Sequence, residues 1–125
     1  MRVLFLANEL RYTDGVTTHL LNLTGGLSKR ENIELFIICG GGNGTERFNN
    51  INVKVISDER FLHDNRSMSN YLFSVNHLRK FVKENKIDIV HSHSHYGANI
   101  AYDTEKITST KTVQTNHGLL QEEGK

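Results

Sequence analysis

The chain has 125 residues, 37% hydrophobic and 23% charged, which is typical of one soluble globular domain. Fifteen Lys and Arg residues against 14 Asp and Glu leave a net charge of +1, which gives no reason to expect nucleic acid as a partner. One cysteine, Cys39, rules out an internal disulfide and fits a reducing compartment. No apolar run approaches the ~20 residues of a membrane span, and residues 3–7 are too short for a signal peptide core, so we expect a cytoplasmic protein.

The first half of the chain predicts two buried strands, a helix and an edge strand. Residues 2–9 and 33–40 carry continuous apolar runs, the pattern of strands covered on both faces of a sheet. Between them, residues 16–30 have apolar positions at helical spacing. Residues 51–57 alternate apolar and polar side chains, which favours a half-exposed or edge strand.

The second half repeats the alternation of helices and strands. We predict a helix over 67–86, a strand over 87–94, a short helix over 95–107 and, over 111–118, a strand that leads into a loop. The apolar face of the first of these helices should contain Met68, Tyr71, Leu72, Val75, Leu78, Phe81 and Val82. Buried strands separated by helices predict a mostly parallel sheet in a Rossmann-like α/β sandwich, with residues 1–125 forming one domain.

Ligands of such sheets bind outside the carboxyl ends of the strands, where three loops of this chain should meet. The first loop leads through Asp14 and Gly15 into a helix N-terminus, whose amides and dipole favour an anion. Gly15 either lets a phosphate approach the backbone or merely allows the turn to form. The sequence is neither a GxGxxG fingerprint nor a P-loop, so a dinucleotide site or a Walker ATPase is not expected.

The second loop, "HSHSHYG", places His91, His93 and His95 at alternate positions. All three would share one face only if the strand continued through them. We expect the strand to end near residue 92 or 93, so that His91 packs against a flanking helix while His93 and His95 lie at a pocket rim. A metal site and a purely structural role are the alternatives. No cysteine lies nearby to complete a zinc site, and no metal is expected.

The third loop, "TNHG", places His117 directly after a strand. An imidazole at this position can donate a hydrogen bond to an incoming oxygen or exchange a proton near neutral pH. The alternative is a turn histidine that bonds only to its own loop.

Three segments in this order resemble family-4 glycosyltransferases over nearly the whole chain. "DGVTTHLLNLTGGL" (14–27) resembles their first loop and helix, "KENKIDIVHSHSHYGANIA" (83–101) their fourth-strand motif, and "KTVQTNHG" (111–118) their fifth-strand motif. In the first segment, Asp14 replaces the first glycine of the usual pair, and a carboxylate beside a diphosphate is repulsive unless it points away or binds the acceptor.

The resemblance implies half of a GT-B enzyme, in which two Rossmann-like domains face a cleft. The N-terminal domain, represented by this chain, mainly binds the acceptor, and a C-terminal domain in cis binds a nucleotide-diphosphate sugar. Sugar transfer to a saccharide, lipid or small-molecule acceptor would retain the anomeric configuration and need no metal or other cofactor. Without the second domain, the chain alone should be inactive, and peripheral contact with the inner face of a membrane stays open.

The resemblance also implies roles for single residues. Gly15 and Val16 would offer backbone N–H groups to the donor diphosphate, and His117 would be the catalytic residue facing the transferred sugar. The acceptor-binding residues would be Asp14, His93, His95 and Asn116.

Two other hypotheses belong to different classes of protein. One is a noncatalytic Rossmann-like module that binds a partner, including a subunit that supplies the missing half of a transferase. The other is a small metal-binding protein that uses His91, His93 and His95.

Overall fold

A computed structural model describes residues 1–13, 15–62, 65, 67–93, 100 and 111–114. The strands are β1 (Arg2–Leu6), β2 (Glu34–Cys39), β3 (Val53–Ser57), β4 (Ile89–Ser92) and β5 (Lys111–Gln114), and the helices are α1 (Gly15–Leu27) and α2 (Met68–Glu84). The predicted order of these elements is confirmed. The predicted helix over 95–107 falls almost entirely outside the described residues.

The five strands form one sheet in the order β3-β2-β1-β4-β5. Every neighbouring pair is parallel. β1 is central and β3 lies at an edge, as its alternating pattern predicted. Because all strands run the same way, their carboxyl ends lie at one edge of the sheet, where the loops predicted to carry the chemistry begin.

Helices cover the two faces of the sheet because side chains along a strand alternate between them. Val3 and Phe5 pack with Leu20 of α1 on one face. Leu4 and Leu78, the latter from α2, pack together on the other face. The Rossmann-like three-layer α/β sandwich predicted from the sequence is therefore confirmed.

β1 is shorter than predicted at the end that faces the site. It ends at Leu6, whereas the apolar pattern suggested residue 9. β4 ends at Ser92, as the spacing of the histidines predicted, although its apolar pattern extends to residue 94. After β1 the chain bonds to the loop that follows β2: the Gly40 N–H donates to the carbonyl of Asn8 at 2.7 Å. The polar residues after Leu6 thus belong to a loop fixed by hydrogen bonds rather than to the strand.

The predicted apolar face of α2 is partly wrong. Met68 is 74% exposed and Leu72 is 54% exposed, whereas Ser74 is fully buried. The small Ser74 side chain lets the helix lie close to the segment after β3, and its hydroxyl donates to the carbonyl of Arg60 at 3.5 Å. The buried face of α2 therefore includes Ser74, and Leu72 faces solvent.

Candidate functional site

The strand order places a topological switch point between β1 and β4, and we call the space outside the carboxyl ends of these two strands the crevice. From β1 the chain builds outward to β2 and β3, then returns to the other side of β1 to form β4 and β5. Loops leaving β1 and β4 therefore depart in opposite directions, and open α/β sheets bind ligands at such a switch point. Two of the three loops singled out in the sequence flank this crevice.

Helix α1 begins at the end of the loop that leaves β1. Gly15 and Val16 are its first two residues, where N–H groups point along the axis out of the helix and the dipole is positive. A Cβ added at Gly15 would meet no described atom within 4 Å. Its φ also lies outside the left-handed region. Neither crowding nor an unusual backbone conformation requires glycine here, which weakens the interpretation that Gly15 serves only the turn.

A buried hydroxyl lies in the same first turn of α1. Thr17 is 0% exposed. Its Oγ1 has no hydrogen-bond partner within the part of the chain that the structure describes. Buried polar atoms in folded proteins nearly always have a partner, so this hydroxyl is a polar group that the described fold does not satisfy.

The histidines of the second loop stack on the α1 side of the sheet. The His91 and His93 rings lie with centroids 4.4 Å apart and 30° between their planes. Both pack on Phe5 of β1, at 5.5 Å for His91 and 5.9 Å for His93. His93 is only 5% exposed, so it is more enclosed than the rim position predicted for it.

His93 also joins the strand edge to helix α1. Its ring lies 5.7 Å from that of His19, and its N–H donates to the carbonyl of Leu6 at 2.8 Å. His19 lies four residues after Gly15, on the same side of α1. The structure thus brings the second turn of α1, through His19, into contact with His93 at the crevice.

Four of the predicted site residues, Asp14, His95, Asn116 and His117, lie outside the described residues. β5 nevertheless fixes where the third loop starts. It runs parallel to β4, with Ser92 opposite Gln114, so the two strands end at the same edge of the sheet. The roles predicted for these four residues stay predictions.

The described part of the chain contains no group of three His, Cys, Asp or Glu side chains placed to hold a metal ion. His95, the third residue of the predicted alternative site, is not among the described residues.

The buried cysteine at the carboxyl end of β2 is a core residue. Burial raises the pKa of the Cys39 thiol above its usual range, although hydrogen bonds with the Gly41 backbone and the Ser57 side chain act in the opposite direction. A thiol with a raised pKa stays protonated near neutral pH and is a poor nucleophile.

The loop before α1 is held by the segment after β2, residues 40–48. Leu10 N–H donates to Gly41 O at 2.8 Å, and Gly44 N–H donates to Leu10 O at 2.7 Å. Tyr12 N–H donates to the Asn43 side-chain oxygen at 2.8 Å. These bonds fix the path of the chain as it approaches helix α1.

Arg47 joins that loop to the helix. Its Nη1 donates to the carbonyl of Tyr12 at 2.8 Å and to the hydroxyl of Thr18 at 3.3 Å. The guanidinium also lies over the Tyr12 ring, 5.1 Å from its centroid. Among the described residues no carboxylate forms an ion pair with it.

Sequence reasoning missed His19 and Arg47 as site residues. His19 could have been found, because it follows Gly15 by four residues and so lies on the same side of the helix. Arg47 carries no comparable signal, since it reaches the site through a loop whose conformation no periodicity describes.

The chain matches the model of Glycosyltransferase Family 4 over residues 13–124. Because this match covers most of the chain, the protein belongs to glycosyltransferase family 4, and the resemblance drawn from the three motifs is confirmed.

Two solved structures share the fold. A glycosyltransferase from Rickettsia africae ESF-5 superposes with a TM-score of 0.70 at 19% identity, covering 88% of this chain and 28% of that one. The apo form of the lipopolysaccharide outer core galactosyltransferase WaaB gives a TM-score of 0.63 at 17% identity, covering 93% and 32%. This chain thus spans about three tenths of each.

No curated protein matches the sequence. Within the described residues, neither helix is long and apolar enough to cross a membrane.

Proposed function

We propose that this chain is the N-terminal, acceptor-side half of a retaining glycosyltransferase. The enzyme transfers a hexosyl group from a nucleotide-diphosphate sugar to a saccharide, lipid or small-molecule acceptor. A C-terminal GT-B domain in cis holds the donor. The observation that carries this proposal is that, in a chain belonging to family 4, His19 lies one turn after the start of α1 and is in ring contact with His93.

In this proposal the start of α1 binds the donor diphosphate. Bond cleavage at the sugar leaves negative charge on the departing nucleoside diphosphate. Backbone N–H groups of Gly15 and Val16, aligned with the positive end of the helix dipole, stabilise that charge as it develops. Because backbone amides stabilise the negative charge of the diphosphate, the proposed reaction needs no metal and no other cofactor.

The histidines act on the sugar and the acceptor. His117, in the loop that follows β5, faces the transferred sugar and the acceptor oxygen, and it is the catalytic residue. His93 lines the acceptor side of the crevice, where packing on Phe5 and His19 holds its ring. Asp14, His95 and Asn116 complete the acceptor site.

The enzyme works in the cytoplasm, with peripheral contact at the inner face of the membrane as part of the proposal. Met68 and Leu72 support that contact, because they are exposed apolar residues four positions apart on one side of α2. Replacing both with serine should reduce cosedimentation with anionic phospholipid vesicles. Unchanged cosedimentation would remove the peripheral contact from the proposal.

The test uses the complete protein that contains this chain and a panel of UDP-, GDP- and ADP-sugars with saccharide and lipid acceptors. We expect transfer from one donor class, with a product whose anomeric coupling by NMR matches that of the donor. An inverted product would refute the retaining mechanism. No release of nucleoside diphosphate with any donor, together with stoichiometric capture of a second protein, would favour the noncatalytic module.

A further inference from the structure

We propose that Arg47 is a positioning residue that sets the geometry of the diphosphate-binding turn. It does so by tying the loop before α1 to the first turns of the helix. The proposal rests on the proposed function of Gly15 and Val16 as the diphosphate site, and it adds a residue that neither the motifs nor the family match single out.

The bonds of Arg47 fall on both sides of the proposed diphosphate turn. Its Nη1 binds the Tyr12 carbonyl before Gly15 and the Thr18 hydroxyl after it. One guanidinium nitrogen therefore links two points of the chain that flank the first helical amides. Movement of the loop relative to the helix would break at least one of these bonds.

The backbone around Arg47 is itself constrained. Gly42 has φ +113°, and a Cβ there would lie 2.3 Å from the Leu10 oxygen. A Cβ at Gly44 would lie 2.7 Å from the same oxygen. The segment after β2 therefore approaches the loop before α1 so closely that only glycine fits. The 3₁₀ helix Thr45–Phe48 then starts from this fixed point and presents Arg47.

Charge favours the same assignment. The acceptors of Arg47 are a carbonyl and a hydroxyl, and among the described residues no carboxylate neutralises it. A cation fixed beside the positive end of a helix repels other cations and favours an anion. A diphosphate is the chemical class of ligand that such a turn would hold.

The first experiment tests, without any ligand, the link that Arg47 forms between the Tyr12 carbonyl and the Thr18 hydroxyl, which we call the brace. In the complete protein that contains this chain, we expect Arg47→Ala to speed amide hydrogen exchange in peptides covering residues 8–20. Arg11→Ala is the matched control, because Arg11 is a cation of the same loop whose side-chain partner is Glu9, two residues away, at 3.1 Å. Its exchange pattern should match that of the wild type.

The second experiment measures the dissociation constant of inorganic diphosphate by calorimetry. Arg47→Ala should weaken binding about tenfold, the scale of one hydrogen bond to a charged group. Thr18→Val keeps the charge and removes one end of the brace, and it should weaken binding about threefold. The double variant should be no weaker than Arg47→Ala alone, because both substitutions break the same link. Arg11→Ala should leave the affinity unchanged.

The outcomes separate this proposal from the one on which it rests. Unchanged exchange in Arg47→Ala overturns the brace. Faster exchange with unchanged diphosphate affinity overturns the positioning role. An equal loss of affinity in Arg11→Ala would show that only net charge matters and would also overturn it. If wild-type protein does not bind diphosphate, the proposed site at Gly15 fails, even where the exchange data show the brace.

Discussion

Arg47 and Arg60 show how two regions of this sheet edge differ. Both fasten a loop and lie over an aromatic ring, Arg47 over Tyr12 at 5.1 Å and Arg60 over Phe73 of α2 at 3.4 Å. Arg60, however, is paired with Asp58, whose oxygens accept its hydrogen bonds at 2.9 and 3.0 Å. The α2 side thus neutralises its own charge, whereas Arg47 has no carboxylate partner among the described residues.

We infer from this difference that the α2 side serves the fold and that the crevice side serves a ligand. Asp58 and Arg60 complete a local structure that needs nothing from outside. The crevice side combines a cation without a carboxylate partner among the described residues, the buried Thr17 hydroxyl without a described partner, and stacked imidazoles. We expect substitutions on the crevice side to change activity more than stability, and substitutions on the α2 side to do the opposite.

The largest effect is expected on kcat, when alanine replaces either of two histidines in the complete enzyme. His117→Ala should lower kcat by about 100-fold or more, the usual contribution of a positioned acid or base, with little change in the melting temperature. The control is His77→Ala on α2, whose ring packs between Phe61 and Phe73. It should lower the melting temperature and leave kcat nearly unchanged. A turnover for His117→Ala within a few-fold of wild type would make the catalytic assignment wrong.

The next effect concerns the core beneath α2. Leu78 is fully buried, so Leu78→Ala should reduce the free energy of unfolding by about 2–5 kcal/mol through lost burial and a cavity. Leu72→Ala, on the exposed side of the same helix, should cost well under about 1 kcal/mol. Urea denaturation measures both. Equal costs would contradict the orientation of α2.

Substitutions at two glycines test the close approach of the segment after β2 to the loop before α1. Gly42→Ala should reduce the free energy of unfolding by about 1–3 kcal/mol, because its φ is positive and its Cβ would strike the Leu10 oxygen. Gly26 lies in α1, and a Cβ added there would meet no described atom outside the local helix backbone within 4 Å, so Gly26→Ala should stabilise the fold by about 0.5–1 kcal/mol. Opposite signs in thermal denaturation support the account. A neutral Gly42→Ala would contradict it.

The smallest effect is the pH dependence of the Asp58–Arg60 pair. Hydrogen bonds from Arg60 hold the pKa of Asp58 below its usual range. The ionised form therefore stabilises the fold above the unfolded-state pKa of about 3.9, and that stability disappears as the pH falls through the lower folded-state pKa.

Asp58→Asn should thus be slightly less stable than wild type at pH 7, and the difference should close at low pH in denaturation series. Glu31→Gln, at an exposed carboxylate with no ion pair among the described residues, should show no such trend. A pH-independent difference for Asp58→Asn would assign its effect instead to the hydrogen bond that the Asp58 side chain accepts from the Arg60 backbone N–H at 3.0 Å.

The architecture could be predicted from the sequence because buried strands and helices have apolar residues at regular spacings along the chain. The apolar runs of β1 and β2 and the alternation in β3 were enough for the parallel sheet and its exposed edge. The buried face of α2 was misjudged, because a small polar residue, Ser74, packs closely where apolarity alone favoured Leu72.

At the site, the sequence predicted where helices and strands begin and end better than it predicted which side chains touch. The end of β4 was placed correctly, and Gly15 does begin α1. The ring contact between His19 and His93 joins residues 74 positions apart, and Arg47 reaches Thr18 through a loop. Such contacts depend on how loops fold onto the sheet, which neither a period of 3.6 nor a period of 2 describes.

The most direct test of the central claim is hydrogen exchange in the complete protein with and without a saturating nucleotide-diphosphate sugar. We predict slower exchange at the amides of residues 15–20, where the start of α1 would bind the diphosphate. Protection confined to other segments, with residues 15–20 unchanged in the presence of a donor that is turned over, would contradict the assignment of this crevice as the diphosphate site.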